Sequence, residues 1–329
     1  MRAIQISELG GPDALREVDL PEPEASHMLT PGEGVLIDVE AAGVSFPEVL
    51  QTRGEYQFKP PLPFVPGGEV AGIVRSAPEG SGLSAGDRVA ATCMLGGWAD
   101  VAVAPAFLSF RLPEELDMAQ GSGLVLNYHT AYFSLVTRGR LAEGETVLVH
   151  GAAGGVGTAT IQVAKGLGAR VIGVVSSDEK EAVAREAGAD DVVRSAEGWK
   201  DEVKELSGGG VDLVIDPVGG DRFTDSVRSL AEGGRVVVVG FTAGSIPEVK
   251  VNRLLLNNTE VIGAGWGAYV IAKPELNREI GAEISKLIDS GHVRPLVGAA
   301  FPFTVEGASE ALNLIDGRGA TGKVVLDVR

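Results

Sequence analysis

From Thr146 to Gly168 the chain reads TVLVHGAAGGVGTATIQVAKGLG. A short apolar run, Val147-Leu148-Val149, enters a glycine-rich turn, Gly151 to Gly157, and leaves it through an Ala/Thr/Ile/Val stretch with helical spacing. A strand delivered into such a turn lets the backbone approach a pyrophosphate, and the following helix offers unpaired N–H groups and the positive end of its dipole to that charge. Aligned on the GxGxxG fingerprint the residues are Ala152, Gly154 and Gly157, with the first glycine replaced and Gly151 one place earlier. Alone this is a weak signal, because glycine turns also arise for structural reasons. A second apolar run, Val171 to Val175, follows at the distance a βαβ unit requires, and the pair reads as a dinucleotide site with Gly154, Gly155, Val156 and Gly157 in contact.

The end of that second strand selects the dinucleotide. An acidic residue there would bind the adenosine ribose hydroxyls and repel a 2′-phosphate. This chain has Val175, followed by Ser176 and Ser177, with Lys180 within reach in the first turn of the next helix. Hydroxyls plus an ammonium suit a dianion, which points to NADPH (NADP) as the cofactor. Other chemistries find little support. His129 and His150 lack partners at metal-ligand spacing and read as packed or capping histidines. Cys93 has no neighbouring base or cation to activate a thiolate. No Ser-His-Asp triad, paired-carboxylate site or metal motif is present.

Composition bounds the rest. The 329 residues allow two domains, and 44% hydrophobic with 22% charged residues is ordinary for a soluble protein. A formal charge of −17, from 28 Lys+Arg against 45 Asp+Glu, argues against nucleic acid and anionic lipid as partners. A single cysteine rules out an intrachain disulfide, no run approaches a membrane span, and MRAIQISELGG lacks the apolar core of a signal peptide. A cytoplasmic location is the expectation.

The elements that must position these residues fall into two groups. Short β-type runs (3–6, 35–39, 70–74, 88–91, 99–103), separated by Gly/Pro/Asp/Ser clusters, predict a small antiparallel barrel, with the proline-rich stretch 58–66 as an ordered loop. A helix is expected over about 121–135. From Thr146, strands at 147–149, 171–175, 191–193, 211–215, 236–239 and 260–262 alternate with helices at 156–167, 179–187, 200–206 and 221–230. Several strands are apolar on consecutive residues, as in a parallel sheet covered on both faces. Helical segments at 274–290 and 303–315 follow. The closing β-run 322–328 has no obvious parallel partner and is expected to return to the first domain.

The strings GVSFPEVL (43–50), FVPGGEVAGIV (64–74), LNYHTAYFSL (126–135), VLVHGAAGGVG (147–157), VVVVGFTAG (236–244), LLLNNTEVIGAGWGAY (254–269) and ATGKVVLDV (320–328) together resemble the zinc-independent quinone oxidoreductases of the medium-chain dehydrogenase/reductase superfamily. The resemblance spans essentially the whole chain. It implies an α/β protein: a GroES-like β-barrel substrate domain (1–123 and 267–329) and a Rossmann doubly wound parallel-sheet domain (124–266). It also implies that zinc-dependent relatives carry ligands where this chain has Ser45, Gly68 and Leu126, which cannot supply them.

By the same resemblance Lys180 holds the 2′-phosphate, with Arg194 and Arg318 standing near the positions of the remaining phosphate clamp. Asn127 and Thr130 face the nicotinamide and its ribose. Gly240, Phe241 and the Ala264-Gly265-Trp266 backbone line the cofactor's other side, and Lys323 joins the cofactor-binding set. Ser45, Tyr56 and Trp266 are expected at the mouth of the cleft, with Ser45, Tyr56 and Asn127 as catalytic candidates. Tyr56 reads equally well as a loop-packing aromatic. The implied activity is NADPH-dependent reduction of quinones or related conjugated carbonyl compounds by hydride transfer. Reduction of an activated C=C bond is the alternative, with Arg53 and Lys59 as rim cations for a thioester, and a non-enzymatic NADPH-binding protein is the second. Relatives usually pair as homodimers through the Rossmann domain, here near the Val261-Ile262 edge and 254–270.

Overall fold

The computed structural model describes residues 1–329. The chain opens with β1 (Arg2–Ile6), paired antiparallel with β2 (Leu15–Asp19). Next come β3 (Val35–Val44), helix α1 (Phe46–Arg53), β4 (Glu69–Ser76), β5 (Arg88–Thr92), β6 (Val101–Ala104), β7 (Ser109–Arg111) and the single turn α2 (Met118–Gly121). β3 is the spine of this unit. It pairs antiparallel with both β4 and β6, and its ten residues alternate buried with half-buried until Ala41, beyond which all are buried. α1 follows at once because Ser45-Phe46-Pro47-Glu48 starts a helix in three ways: an N-cap serine, a proline in the first turn, and a glutamate at the third position reaching back to the cap. Gly54, in the left-handed region at φ 69°, ends it.

The second unit begins with a run of wide, π-helical turns, Val125–His129 and Phe133–Arg138, on either side of α3 (Thr130–Tyr132). The regular alternation then starts: β8 (Thr146–His150), α4 (Gly155–Gly166), β9 (Arg170–Val175), α5 (Asp178–Glu186), β10 (Asp191–Arg194), α6 (Trp199–Ser207), β11 (Val211–Asp216), α7 (Phe223–Arg228), β12 (Leu230–Val238), α8 (Asn252–Leu256) and β13 (Glu260–Gly263). The six strands form one parallel sheet in the order β10-β9-β8-β11-β12-β13, a doubly wound topology. Leu148, Ile172, Val214 and Val236 lie in its core.

α9 (Trp266–Ala272) and α10 (Pro274–Asp289) come next, and the chain then returns through β14 (Val297–Pro302), α11 (Val305–Asp316) and β15 (Lys323–Asp327). β15 lies between β3, antiparallel, and β14, parallel. The closing strand thus has a parallel partner that its sequence does not advertise: Val297-Gly298-Ala299-Ala300 carries few β-formers and alternates half-buried with exposed.

The units are Met1–Leu126 with Pro295–Arg329, and Asn127–Arg294. The expected second boundary at 267 therefore moves to 295. α10 accounts for the shift: Ile280, Ile284, Leu287 and Ile288 are buried, Leu287 packs where a β-carbon on Gly166 of α4 would sit, and Asn277 reaches His129 at 2.7 Å.

Candidate functional site

In the parallel-sheet unit, β8 ends at His150 and the backbone turns through Gly151, at φ 58°. Ala152 stands where the fingerprint has glycine and is fully buried, its N–H donating to Val174 O at 3.2 Å. The helix packs hard on this turn, since a β-carbon on Gly157 would lie 2.1 Å from Gly151 O. Gly154 is the N-cap of α4 and supplies no side-chain acceptor. The first-turn N–H groups of half-exposed Gly155 and Val156 therefore keep their hydrogen-bonding capacity at the positive end of a twelve-residue helix. Asn127 is buried, with its amide against Gly155, and Thr130, 8% exposed, stands one helical turn further on. These are donors and a cradle that fit a dinucleotide pyrophosphate.

After β9 the hydroxyls of Ser176 and Ser177 are exposed. Ser177 caps α5 through Lys180 N, and Lys180 Nζ lies 3.4 Å from Ser176 Oγ. The three residues singled out in the sequence do converge. Arg194 does not add a cation to them: its guanidinium binds Ser177 O, Asp178 (2.5 Å) and Glu181 (2.6 Å), two carboxylates that claim its charge. Gly240 and Phe241 follow β12, and Phe241 is 38% exposed. Ala264 N donates to Val238 O at 2.9 Å, and Gly265 is exposed. Trp266 corrects the expectation of a ring at the cleft mouth. It is 5% exposed and stands edge-on to the His129 ring, because α9 turns its apolar face inward. Burial pushes the His129 imidazole down to about 4, against the hydrogen bond to Asn277, and so favours a neutral, packed ring.

The barrel unit gathers the second group. Ser45, at the end of β3, is half-buried. Its Oγ accepts from Lys323 Nζ at 2.7 Å, and the same ammonium makes a short ion pair with Glu69 Oε1. Lys323 and Glu69 are 3% and 2% exposed. Glu69 Oε2 accepts from Leu126 N at 3.3 Å. Beneath them Glu48 accepts from Ser45 N and Gly68 N, each at 2.9 Å. Burial pushes the Glu48 carboxyl up to about 7, against the pull of Lys323 and the Gly68 N–H, with the Glu69 charge adding to the rise. Lys323, expected among the cofactor-binding residues, thus directs its ammonium to Glu69 and Ser45 inside the barrel unit. Burial raises the Tyr56 phenol, and the Glu48 charge adds to it. Tyr56 shares an open pocket of about 310 Å³ with Leu9, Gln51, Phe58, Leu62 and Phe64. Cys93 is fully buried, and burial pushes its thiol up.

Glu48 and Glu69 are the residues that sequence reasoning passed over. Ser45-x-x-Glu48 is a capping-box spacing, and Glu69 is a charge set immediately before the apolar run Val70 to Val74, so both signals were present.

Residues 31–114 match the family described as alcohol dehydrogenase GroES-like domain, and residues 155–281 the family described as zinc-binding dehydrogenase. Quinone oxidoreductase-like protein 2 of Mus musculus is 37% identical over 332 residues, covering 100% of this chain and 92% of the relative. The Thermus thermophilus quinone oxidoreductase, solved alone and with NADPH, is 35% identical with a TM-score of 0.83 over 100% of both chains. The Escherichia coli quinone oxidoreductase complexed with NADPH is 28% identical with a TM-score of 0.88, again over 100% of both. The chain belongs to the quinone oxidoreductases of the medium-chain dehydrogenase/reductase superfamily and is an oxidoreductase. The zinc of one family description finds no matching donors here. Ser45 and the Leu126 N–H meet at Glu69, and Gly68 donates to Glu48 beside them, but the three positions offer a hydroxyl, a residue without side chain and an alkyl group, next to a lysine ammonium. No group of three or more His, Cys, Asp or Glu is placed to hold a metal ion.

Proposed function

We propose that this protein is a zinc-independent, NADPH-dependent reductase of quinones or related conjugated carbonyl compounds. The observation that carries the reading is the uncapped start of α4 at Gly154, followed one strand later by Ser176, Ser177 and Lys180 around one exposed point. Bound NADPH supplies a hydride at its nicotinamide ring. The chain's own residues bind and orient: the Gly154–Gly157 turn cradles the pyrophosphate, with the N–H groups of Gly155 and Val156 as donors, Lys180 with the two serines takes the 2′-phosphate, and Asn127 and Thr130 hold the nicotinamide end. Gly240, Phe241 and the Ala264–Trp266 backbone confine it. Ser45 and Tyr56 hold the acceptor, and Lys323 contributes through Ser45. The alternative of a thioester-linked alkene as substrate draws less support, because Arg53, one of its two rim cations, is engaged by Asp316 at 3.1 and 2.5 Å.

A second copy of the chain is the proposed partner. β13 is the sheet's outer strand, and Val261 on it, with Ile246, Val251, Leu255 and Leu256 nearby in sequence, presents apolar side chains to solvent. No helix is long and apolar enough to cross a membrane.

The test is anaerobic loss of NADPH absorbance with simple quinones, enals and an enoyl-CoA, with NADH and chelator controls. Chelator-insensitive turnover of quinones with NADPH is the expected result. Turnover confined to alkenes, or binding of NADPH with no turnover of any acceptor, would overturn it.

A further inference from the structure

A lysine ammonium and two carboxylates, all at least 95% buried, are an expensive thing to place inside a small barrel. The barrel makes room for them. A β-carbon on Gly123 would come within 2.8 Å of Lys323 Cγ, and one on Gly43 within 2.8 Å of Lys323 Cε and 2.6 Å of Glu69 Cγ. The lysine stem runs through a gap that two glycines leave open, and it delivers the ammonium to a single half-exposed hydroxyl. An ion pair serving stability alone has no need of that outlet, since apolar residues of similar volume usually stabilise as well or better.

Hydrogen-bond direction gives the outlet a meaning. Lys323 has only donors, so Ser45 Oγ is the acceptor in their 2.7 Å contact. The Ser45 proton then faces either Glu69 Oε1, at 3.4 Å and already claimed by the ammonium, or the half-exposed side. A hydroxyl that accepts from a cation is a stronger donor in turn. We propose that Lys323 is a positioning residue that polarises Ser45 into a hydrogen-bond donor for the negative charge developing on a substrate carbonyl oxygen. Glu69 fixes the ammonium, and Glu48 fixes the Ser45 backbone through its N–H. The cation does from behind a serine what a Lewis acid would do by direct contact, stabilising the oxyanion of the reduced acceptor. This inference rests on the carbonyl-reductase reading above.

A double-mutant cycle with a binding readout tests it in the full-length chain. Glu69→Gln with Lys323→Met removes both charges at nearly constant volume, so the barrel keeps its packing. Ser45→Ala removes the proposed outlet. For NADPH and 1,4-benzoquinone, each change is expected to lower kcat roughly 10²-fold with little change in KM for NADPH, and the triple variant is expected to be no worse than either. The second readout needs no cofactor: 4-nitrophenol, whose phenolate absorbs visibly, is expected to bind the unaltered protein with a larger ionised fraction than it shows on Glu69→Gln/Lys323→Met. Lys323→Arg, which keeps the cation, is expected to preserve most of both effects. Additive losses in the cycle, unchanged kcat in the charge-free variant, or nitrophenol that binds neither protein or both alike would overturn the role of Lys323. Failure of the unaltered protein to oxidise NADPH with any carbonyl acceptor would instead overturn the reading beneath it.

Discussion

The side-chain amide of Asn127 sits 2.6 Å from the point that a β-carbon on Gly155 would occupy. The two residues are 28 positions apart, one on the wide helical turns that open the second unit and the other in the first turn of α4. π-Helical turns recur at functional sites because the extra residue per turn re-aims side chains. Here they set an amide directly against the helix start that the glycine turn exposes.

Gly155→Ala should push the Asn127 amide aside while leaving the sheet intact. Overpacking of this kind costs about 1–3 kcal/mol. The expected result is a several-fold weaker NADPH affinity by fluorescence titration, with a modest fall in Tm. Gly157→Ala should be far worse, because its β-carbon would strike backbone rather than a side chain, at 2.1 Å from Gly151 O. Loss of the folded protein, read by circular dichroism, is expected there.

Lys180 is the proposed discriminator between the two cofactors. Its ammonium has Ser176 Oγ at 3.4 Å, and Arg194 beside it is already committed to Asp178 and Glu181. A charge-assisted hydrogen bond is worth about 1.5–3 kcal/mol, and about 1.4 kcal/mol is a factor of ten in affinity. Lys180→Ala should raise KM for NADPH roughly tenfold to a hundredfold on that scale and leave KM for NADH unchanged. Steady-state kinetics with both nucleotides checks this, and an equal rise for NADH would remove the 2′-phosphate role.

Much of this arrangement is legible in the sequence. The doubly wound sheet announced itself through strands apolar on consecutive residues, and the glycine turn, Ser176, Ser177 and Lys180 lie within the continuous segment β8-α4-β9-α5, where local sequence fixes geometry. Three features escaped for physical reasons. β14 is built from Gly and Ala beside Val297 and Phe301, so its pairing with β15 comes from tertiary context rather than propensity. Trp266 sits among glycines, which reads as an exposed rim, yet its ring packs on His129 from a helix 137 positions away in sequence. Lys323 was expected among the cofactor-binding residues, and only the antiparallel register of β15 against β3 carries its ammonium to Ser45 and Glu69.

Glu48 should make stability depend on pH. Its folded-state pKa, about 7, lies above the ordinary 4.5, so the unfolded chain releases this proton first as pH rises. Stability from this group is therefore fully present below about pH 4.5 and declines up to about pH 7, by about 3 kcal/mol. The groups facing it are Lys323, Glu69 and the N–H groups of Ser45 and Gly68. Glu48→Gln has one acceptor oxygen for two N–H donors, which costs about 1–3 kcal/mol at pH 5. The variant lacks the titration, so the two denaturant-derived stability curves should converge towards pH 8. Parallel curves would show that Glu48 is ionised throughout.

The apolar edge of the sheet yields the last expectation. Leu255 and Leu256 are 76% and 77% exposed, and Ile246 and Val251 are 77% and 74% exposed. Large apolar side chains this exposed, close together in sequence, are candidates for an interface, and β13 is an outer strand with backbone groups to offer. A C2 pairing would bring each copy's patch against the same patch of the other, so one substitution changes both sides of the contact. Leu255→Lys with Leu256→Lys places four ammonium groups in a dimer and two in a monomer. Sedimentation velocity at micromolar concentration should show the unaltered chain as a dimer and the variant as a monomer. NADPH binding, proposed above to use residues around α4 and α5, should persist in that monomer. If both proteins sediment as monomers, the patch does not pair copies of this chain.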